Sequence, residues 1–183
     1  MEGISWPVVT SVVVLVASIV VFNRLIAARN ACANARGSID VNLKKRHDLV
    51  PNLVKVVSGY AAHEQETLTR VAQARTRAMQ AVGGASSPES EGELTDALAN
   101  LEIRVEAYPE LKASEEFARL ARTLTELEEQ ISAARRAFNA HVMIYNNLVQ
   151  QFPTLLVARL TGFSIKAFFT TSDTSAPQIS LSS

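Results

Sequence analysis

The chain has 183 residues, and its 18 basic and 18 acidic side chains leave no formal net charge at pH 7. That balance supplies no long-range field to attract nucleic acid, which sets aside the classes that bind phosphate through a basic surface. A single cysteine, Cys32, excludes an intrachain disulfide, and beyond the first 25 positions Ala and Leu lead, with Glu and Arg prominent, as in a helical protein.

Residues 3–23 read GISWPVVTSVVVLVASIVVFN, without a charge. As a helix they span about 31 Å, which matches the roughly 30 Å hydrocarbon layer of a bilayer. Trp6 and Phe22 stand where interfacial aromatics belong, and Pro7 falls in the first turn. A cleaved signal peptide needs a basic leader and a shorter apolar run, and Met1-Glu2-Gly3 supplies no Lys or Arg. A lipoprotein cysteine would follow the run closely, whereas Cys32 lies beyond Arg24 and Arg29. We read residues 4–23 as an uncleaved transmembrane helix. Arg24, Arg29, Arg36, Lys44, Lys45 and Arg46 follow it, against Asp40 and Asp48, while only Glu2 precedes it. The positive-inside rule then puts a very short N-terminus outside and the remainder in the cytoplasm.

In the next helix Ile39, Leu43, Val50, Leu53, Val57 and Tyr60 keep one phase, with Arg46 on the same stripe. The phase slips after Tyr60, and Leu68, Val71, Ala74 and Ala78 begin a second stripe. The break is placed near residues 59–63, with Pro51 inside a long first helix; the rival break is at Asp48, whose carboxylate can cap a helix opening Leu49-Val50-Pro51. Residues 83–92 (GGASSPESEG) read as an exposed, mobile loop. Leu94, Leu98, Leu101, Val105 and Tyr108 mark a third helix, ended by Pro109. In the last helix Phe117, Leu120, Leu124, Leu127, Ile131, Ala134, Phe138, His141, Tyr145, Leu148 and Phe152 step by threes and fours, a heptad seam. Ser114 is its expected N-cap and Pro153 its stop, and a fully buried Phe138 on that seam is expected to cost about 3–5 kcal/mol when truncated to Ala. The expected fold is all-α: a transmembrane helix followed over residues 24–163 by an up-and-down four-helix bundle with long first and last helices. Residues 164–183 are expected to be extended or disordered, with Phe168 and Phe169 as docking points.

Chemistry-bearing patterns are sparse. His47, His63 and His141 have no second His or Cys at ligand spacing, and no Glu-x-x-His repeat suits a di-metal bundle. Gly83-Gly84 lacks the lysine of a phosphate loop. Lys44, Lys45, Arg46 and His47, like Glu126, Glu128 and Glu129, read as solvated faces. No cofactor or metal is expected, nor a catalytic residue. One polar stripe remains, Arg135, Asn139 and Asn146 along one edge of the last helix, with Asp40, Arg46, Asp48 and Asn52 on the first. Two readings stand for it: a structural network in which Arg135 pairs with Asp40 or Asp48, or an exposed surface for a partner.

The run Arg46-His47-Asp48-Leu49-Val50-Pro51-Asn52-Leu53-Val54, then Gly59-Tyr60-Ala61-Ala62-His63-Glu64, resembles the LemA family. So do Tyr108-Pro109-Glu110-Leu111, Ala134-Arg135-Arg136-Ala137-Phe138-Asn139, Tyr145-Asn146 and Phe152-Pro153. The resemblance covers residues 24–163. It implies a bacterial protein with one N-terminal transmembrane segment, a four-helix soluble domain and, in one branch, an association with forming magnetosome membranes. The function expected is a non-catalytic, membrane-anchored interaction or scaffold module of the envelope. Its partners would be membrane lipid, an unidentified membrane or cytoplasmic protein, or a second copy of the chain. The alternatives are a tethered sensor binding a small ligand inside the bundle, or a role in organising membranes.

Overall fold

A computed structural model describes residues 6–80 and 87–170. Every regular element among them is helical: α1 Trp6–Tyr60, α2 Gln65–Gln80, α3 Pro88–Val105, α4 Pro109–Lys112, α5 Glu115–Gln150 and α6 Thr154–Leu160. The chain divides into two compact units, one formed by Met1–Ser38 with Ala134–Phe169, the other built on Ile39–Ala133.

In the second unit one apolar core gathers Val50, Leu53 and Val57 of α1, all of the α2 stripe, Leu94, Leu98, Leu101 and Val105 of α3, and Leu111 of α4, with Phe117, Leu120 and Leu124 of α5 against it. The first helix ends near residues 59–63. Ala61, at 1% exposure, closes its stripe in place of the half-exposed Tyr60. Pro51 lies inside α1, where it removes the N–H that would bond to the carbonyl of His47. Arg75 of α2 supplies the missing donor: its Nε–H bonds to the His47 carbonyl at 2.6 Å. A proline is thereby accommodated in mid-helix without leaving an orphaned acceptor.

Two expectations are corrected here. Residues 83–92 were expected to be a loop, but Ser87 is the N-cap of α3, Pro88 its first residue, and Glu91 in the first turn is buried. The capping serine, the proline and the acidic first turn are together a start signal, so the loop reading overran the helix. Residues 83–86 of that stretch lie outside the described residues. Ser114 does cap α5, its Oγ accepting from Phe117 N at 3.5 Å. The heptad seam, however, fails at the far end of α5. Leu127, Ile131 and Tyr145 are buried as expected, but Phe138 and Leu148 are half-buried, Phe152 is exposed, and Val142 and Val149 are buried beside the expected positions. A straight helix with 3.6 residues per turn drifts about 20° per heptad, so over three heptads the seam turns by about 60°, more than half of the roughly 100° between successive residues, and burial passes to the residue after the expected one. Truncating Phe138 should therefore cost less than a fully buried phenylalanine.

In the first unit Leu25 and Cys32 of α1 share a core with Val142, Tyr145 and Val149 of α5 and Ala158 of α6. The last residues of α6 turn back through Gly162, whose φ of 75° lies in the left-handed region. Phe163 N–H then bonds to the Ala158 carbonyl at 2.9 Å, and the Phe163 ring joins Val157 and Ala158 in the core, a Schellman closure with its apolar contact. The start of α1 is different in kind. Val8, Val12, Val13, Val14, Leu15, Val16, Ile19 and Val20 are all exposed, on a helix long and apolar enough to cross a membrane.

Candidate functional site

Two polar clusters stand out. The first, in the second unit, is centred on Arg46, a charged side chain on the apolar stripe of α1 with 1% exposure. Its guanidinium pairs with Glu91 of α3, which is equally buried, and with Glu128 of α5. It also bonds to Thr95 Oγ1 at 3.1 Å, and Thr95 in turn donates to the Glu91 carbonyl. His47 Nε2 lies 3.0 Å from the other oxygen of Glu91. Arg46 and His47 therefore correct the expectation of a solvated basic face; only Lys44 and Lys45 meet it. Glu128 is likewise held rather than free on a solvated face, whereas Asp48 and Asn52 point to solvent and Asp40 is half-buried. Burying an arginine removes its hydration, and two carboxylates restore the compensating charge and acceptors.

Beside this cluster is a cavity of about 270 Å³ in the second unit, walled by Leu53, Leu98, Leu101 and Phe117, with Thr95 and Glu128 on its lining. Phe117 and Leu124 are only partly buried, and the space lies against them.

The second cluster, in the first unit, contains the three residues of the α5 stripe. Asn146 Nδ2 donates to the Lys166 carbonyl at 2.9 Å while its Oδ1 accepts from Lys166 N at 2.8 Å. Asn139 does the same with Phe169, at 3.0 and 2.8 Å. Each carboxamide thus imitates the donor and acceptor pair of a neighbouring strand. The spacing explains why both fit one segment. Seven helical residues rise about 10.5 Å, and three extended residues cover about 10 Å. Tyr145 adds a bond from its hydroxyl to the Ser164 carbonyl at 2.8 Å. Arg135 sets its guanidinium 4.8 Å from the centre of the Phe169 ring, with Arg36 on the same ring at 5.9 Å. Segment 163–170 has no regular secondary structure and docks through Phe169, while Phe168 is half-exposed. Residues 171–183 lie outside the described residues. Asn139 and Asn146 clasp the chain's own tail, a partner the sequence reading had not weighed.

Among the described residues no group of three or more His, Cys, Asp or Glu side chains is placed to hold a metal ion. Cys32 is buried; desolvation pushes its thiol above the ordinary value, with Lys166 pulling partly the other way.

An all-helical module whose buried polar residues fasten helix to helix and helix to tail is the class these features define. The chain belongs to the LemA family, whose profile matches residues 35–181. That match runs through the clasped segment, beyond the point where the motifs had suggested the likeness ends. Similar proteins include "Magnetosome protein MamQ 2" of Paramagnetospirillum magneticum, 24% identical over 188 residues that cover 88% of this chain and 69% of that protein. "Magnetosome protein MamQ" of Magnetospirillum gryphiswaldense is 23% identical over 174 residues, covering 81% and 64%. "Protein LemA" of Metamycoplasma hominis is 26% identical over 152 residues, covering 82% and 69%.

Proposed function

We propose that this protein is a non-catalytic, membrane-anchored interaction module of the bacterial envelope. In this reading residues 4–23 span the inner membrane and an up-and-down four-helix bundle faces the cytoplasm, organising partner proteins or the membrane itself. The observation that carries the reading is the start of α1: a run of exposed valines on a helix that continues without a break into a folded domain. In water that surface carries a free-energy penalty, and a bilayer removes it. Charge supports the orientation. Residues 6–38 and 134–169 contain Arg24, Arg29, Arg36, Arg135, Arg136, Arg159 and Lys166, and no Asp or Glu. Three relatives named as magnetosome proteins support a role at a membrane. The test is topological. Glu89→Cys, on an exposed position of α3, should resist an impermeant thiol reagent in intact cells and react after lysis; reaction in intact cells would overturn the orientation. Crosslinking the full chain in its membrane should then capture protein neighbours.

The cavity beside Glu128 favours a second reading, a tethered sensor of a small, largely apolar ligand. Indole, used as a probe of matching size, should raise the melting temperature, and Ala121→Phe should abolish that rise by filling the space. No shift with indole or other small aromatic probes counts against the sensor.

A further inference from the structure

We infer that α6 is a second membrane contact, lying in the boundary between headgroups and acyl chains beside the end of the span. The inference rests on the anchored reading proposed above and adds a lipid-binding surface to it. Three observations converge.

The first is position. α6 stands level with the last turn of the uncharged run: the Phe163 ring meets the Phe22 ring edge-on, 6.0 Å between centroids. Val21 and Leu25 share a core with Val157 and Ala158. The uncharged run of α1 ends between them, at Asn23 and Arg24. Whatever depth the end of the span occupies, α6 occupies it too.

The second is the face left over. With Ala158 turned inward, α6 and the turn before it present Phe152 at 79% exposure, Leu156 at 55% and Leu160 at 87%. Leu156 and Leu160 lie four apart on α6 and form a short apolar row on one face of it, and Phe152 adds a third exposed side chain from the turn before the helix. A lone exposed leucine means little, but three large apolar side chains exposed within nine residues, beside an apolar span, form a surface suited to lipid.

The third is charge. No acidic residue occurs between Glu129 and Asp173; Arg159 lies on α6 beside Leu160, and the exposed Arg24 and Arg29 follow the end of the uncharged run in the same unit. An acidic ring would be repelled by anionic headgroups; a purely basic one is attracted, with arginine stems lying along the apolar surface. The neutral total of the whole chain conceals this concentration.

The experiment uses the full chain in vesicles of phosphatidylglycerol and phosphatidylcholine, with brominated acyl chains as quencher. Trp6 is the single tryptophan, so a Trp6→Phe background gives a silent chain into which one reporter is placed at a time. Val13→Trp reports the span, Leu156→Trp and Leu160→Trp report α6, and Met143→Trp reports an exposed position of the same unit on α5. The inference expects blue-shifted emission and strong quenching at 13, 156 and 160, and red-shifted, unquenched emission at 143. Quenching at 13 with unquenched emission at 156 and 160 overturns the α6 contact and leaves the anchor standing. Blue-shifted but unquenched emission at 156 and 160 means that protein covers the row, which also overturns it. An unquenched reporter at 13 overturns the anchor and the contact together. Equal quenching at 143 overturns the specific placement of α6.

Discussion

At the scale of single residues, buried charge and buried hydrogen-bonding capacity decide the most. Glu91 neutralises Arg46 and accepts from His47 in the buried interior of the second unit. Removing either member takes the main counter-charge from a buried partner, leaving Arg46 only the half-exposed Glu128, so Glu91→Ala and Arg46→Ala should each cost about 3 kcal/mol in denaturant unfolding. Arg46→Met with Glu91→Leu should cost less than the sum of the two, because no charge is then stranded. Arg75 makes a sharper test. Its bond to the His47 carbonyl replaces the donor that Pro51 lacks. Arg75→Ala should cost about 1.5–3 kcal/mol, the range for a hydrogen bond to a charged group. In a Pro51→Ala background, where the backbone N–H returns, the same change should cost clearly less. Equal losses in the two backgrounds would sink the compensation. Cys32 offers a chemical readout. Burial raises its pKa, so at neutral pH its thiolate fraction falls below that of an ordinary thiol. In the folded protein iodoacetamide should label it slowly, with the rate still climbing at pH values above the usual thiol range; in denaturant the rate should become ordinary.

At the scale of elements, the helices were legible because their signals are local. A stripe spaced three and four residues apart, a capping serine and a stopping proline all act within one or two turns. The exceptions are instructive. The apolar stripe of α3, read backward from Leu94, reaches Glu91, just as the stripe of α1 contains Arg46. Opposite charges on two apolar stripes are a pairing signal, and treating residues 83–92 as a loop hid it. The heptad reading of α5 assumed a supercoil, whereas burial follows the straight-helix period. For α6 the turn itself is testable. Gly162 holds a positive φ, with open space where a Cβ would sit. Gly162→Ala should therefore cost about 1–2 kcal/mol through backbone strain alone, measured by thermal unfolding.

At the scale of the molecule, the two ends of the sequence take on roles that no single helix announces. The segment after α6 is tied to α5 by four backbone bonds from Asn139 and Asn146. A soluble fragment ending at residue 170 should accordingly be more stable than one ending at 163. Each asparagine should contribute about 1–2 kcal/mol, since a typical net hydrogen bond is worth about 1. Equal stability of the two fragments in urea would refute the clasp. Charge is distributed on this scale as well. The chain is neutral overall, yet residues 6–38 and 134–169 are purely basic.

The sequence by itself determined the helical class, the apolar span, the stripes of α2 and α3 and the family, because each rests on periodicity or on contiguous motifs within the reach of a few turns. Tertiary structure alone decided which charges were buried and what the asparagines held. Arg46 meets Glu91 across 45 positions of chain and Glu128 across 82, and Asn139 meets Phe169 across 30. Such pairings depend on which helix faces which, a matter of the packing of whole apolar faces. A carboxamide on a helix edge carries no mark of whether water, an aspartate or a strand of its own chain will satisfy it.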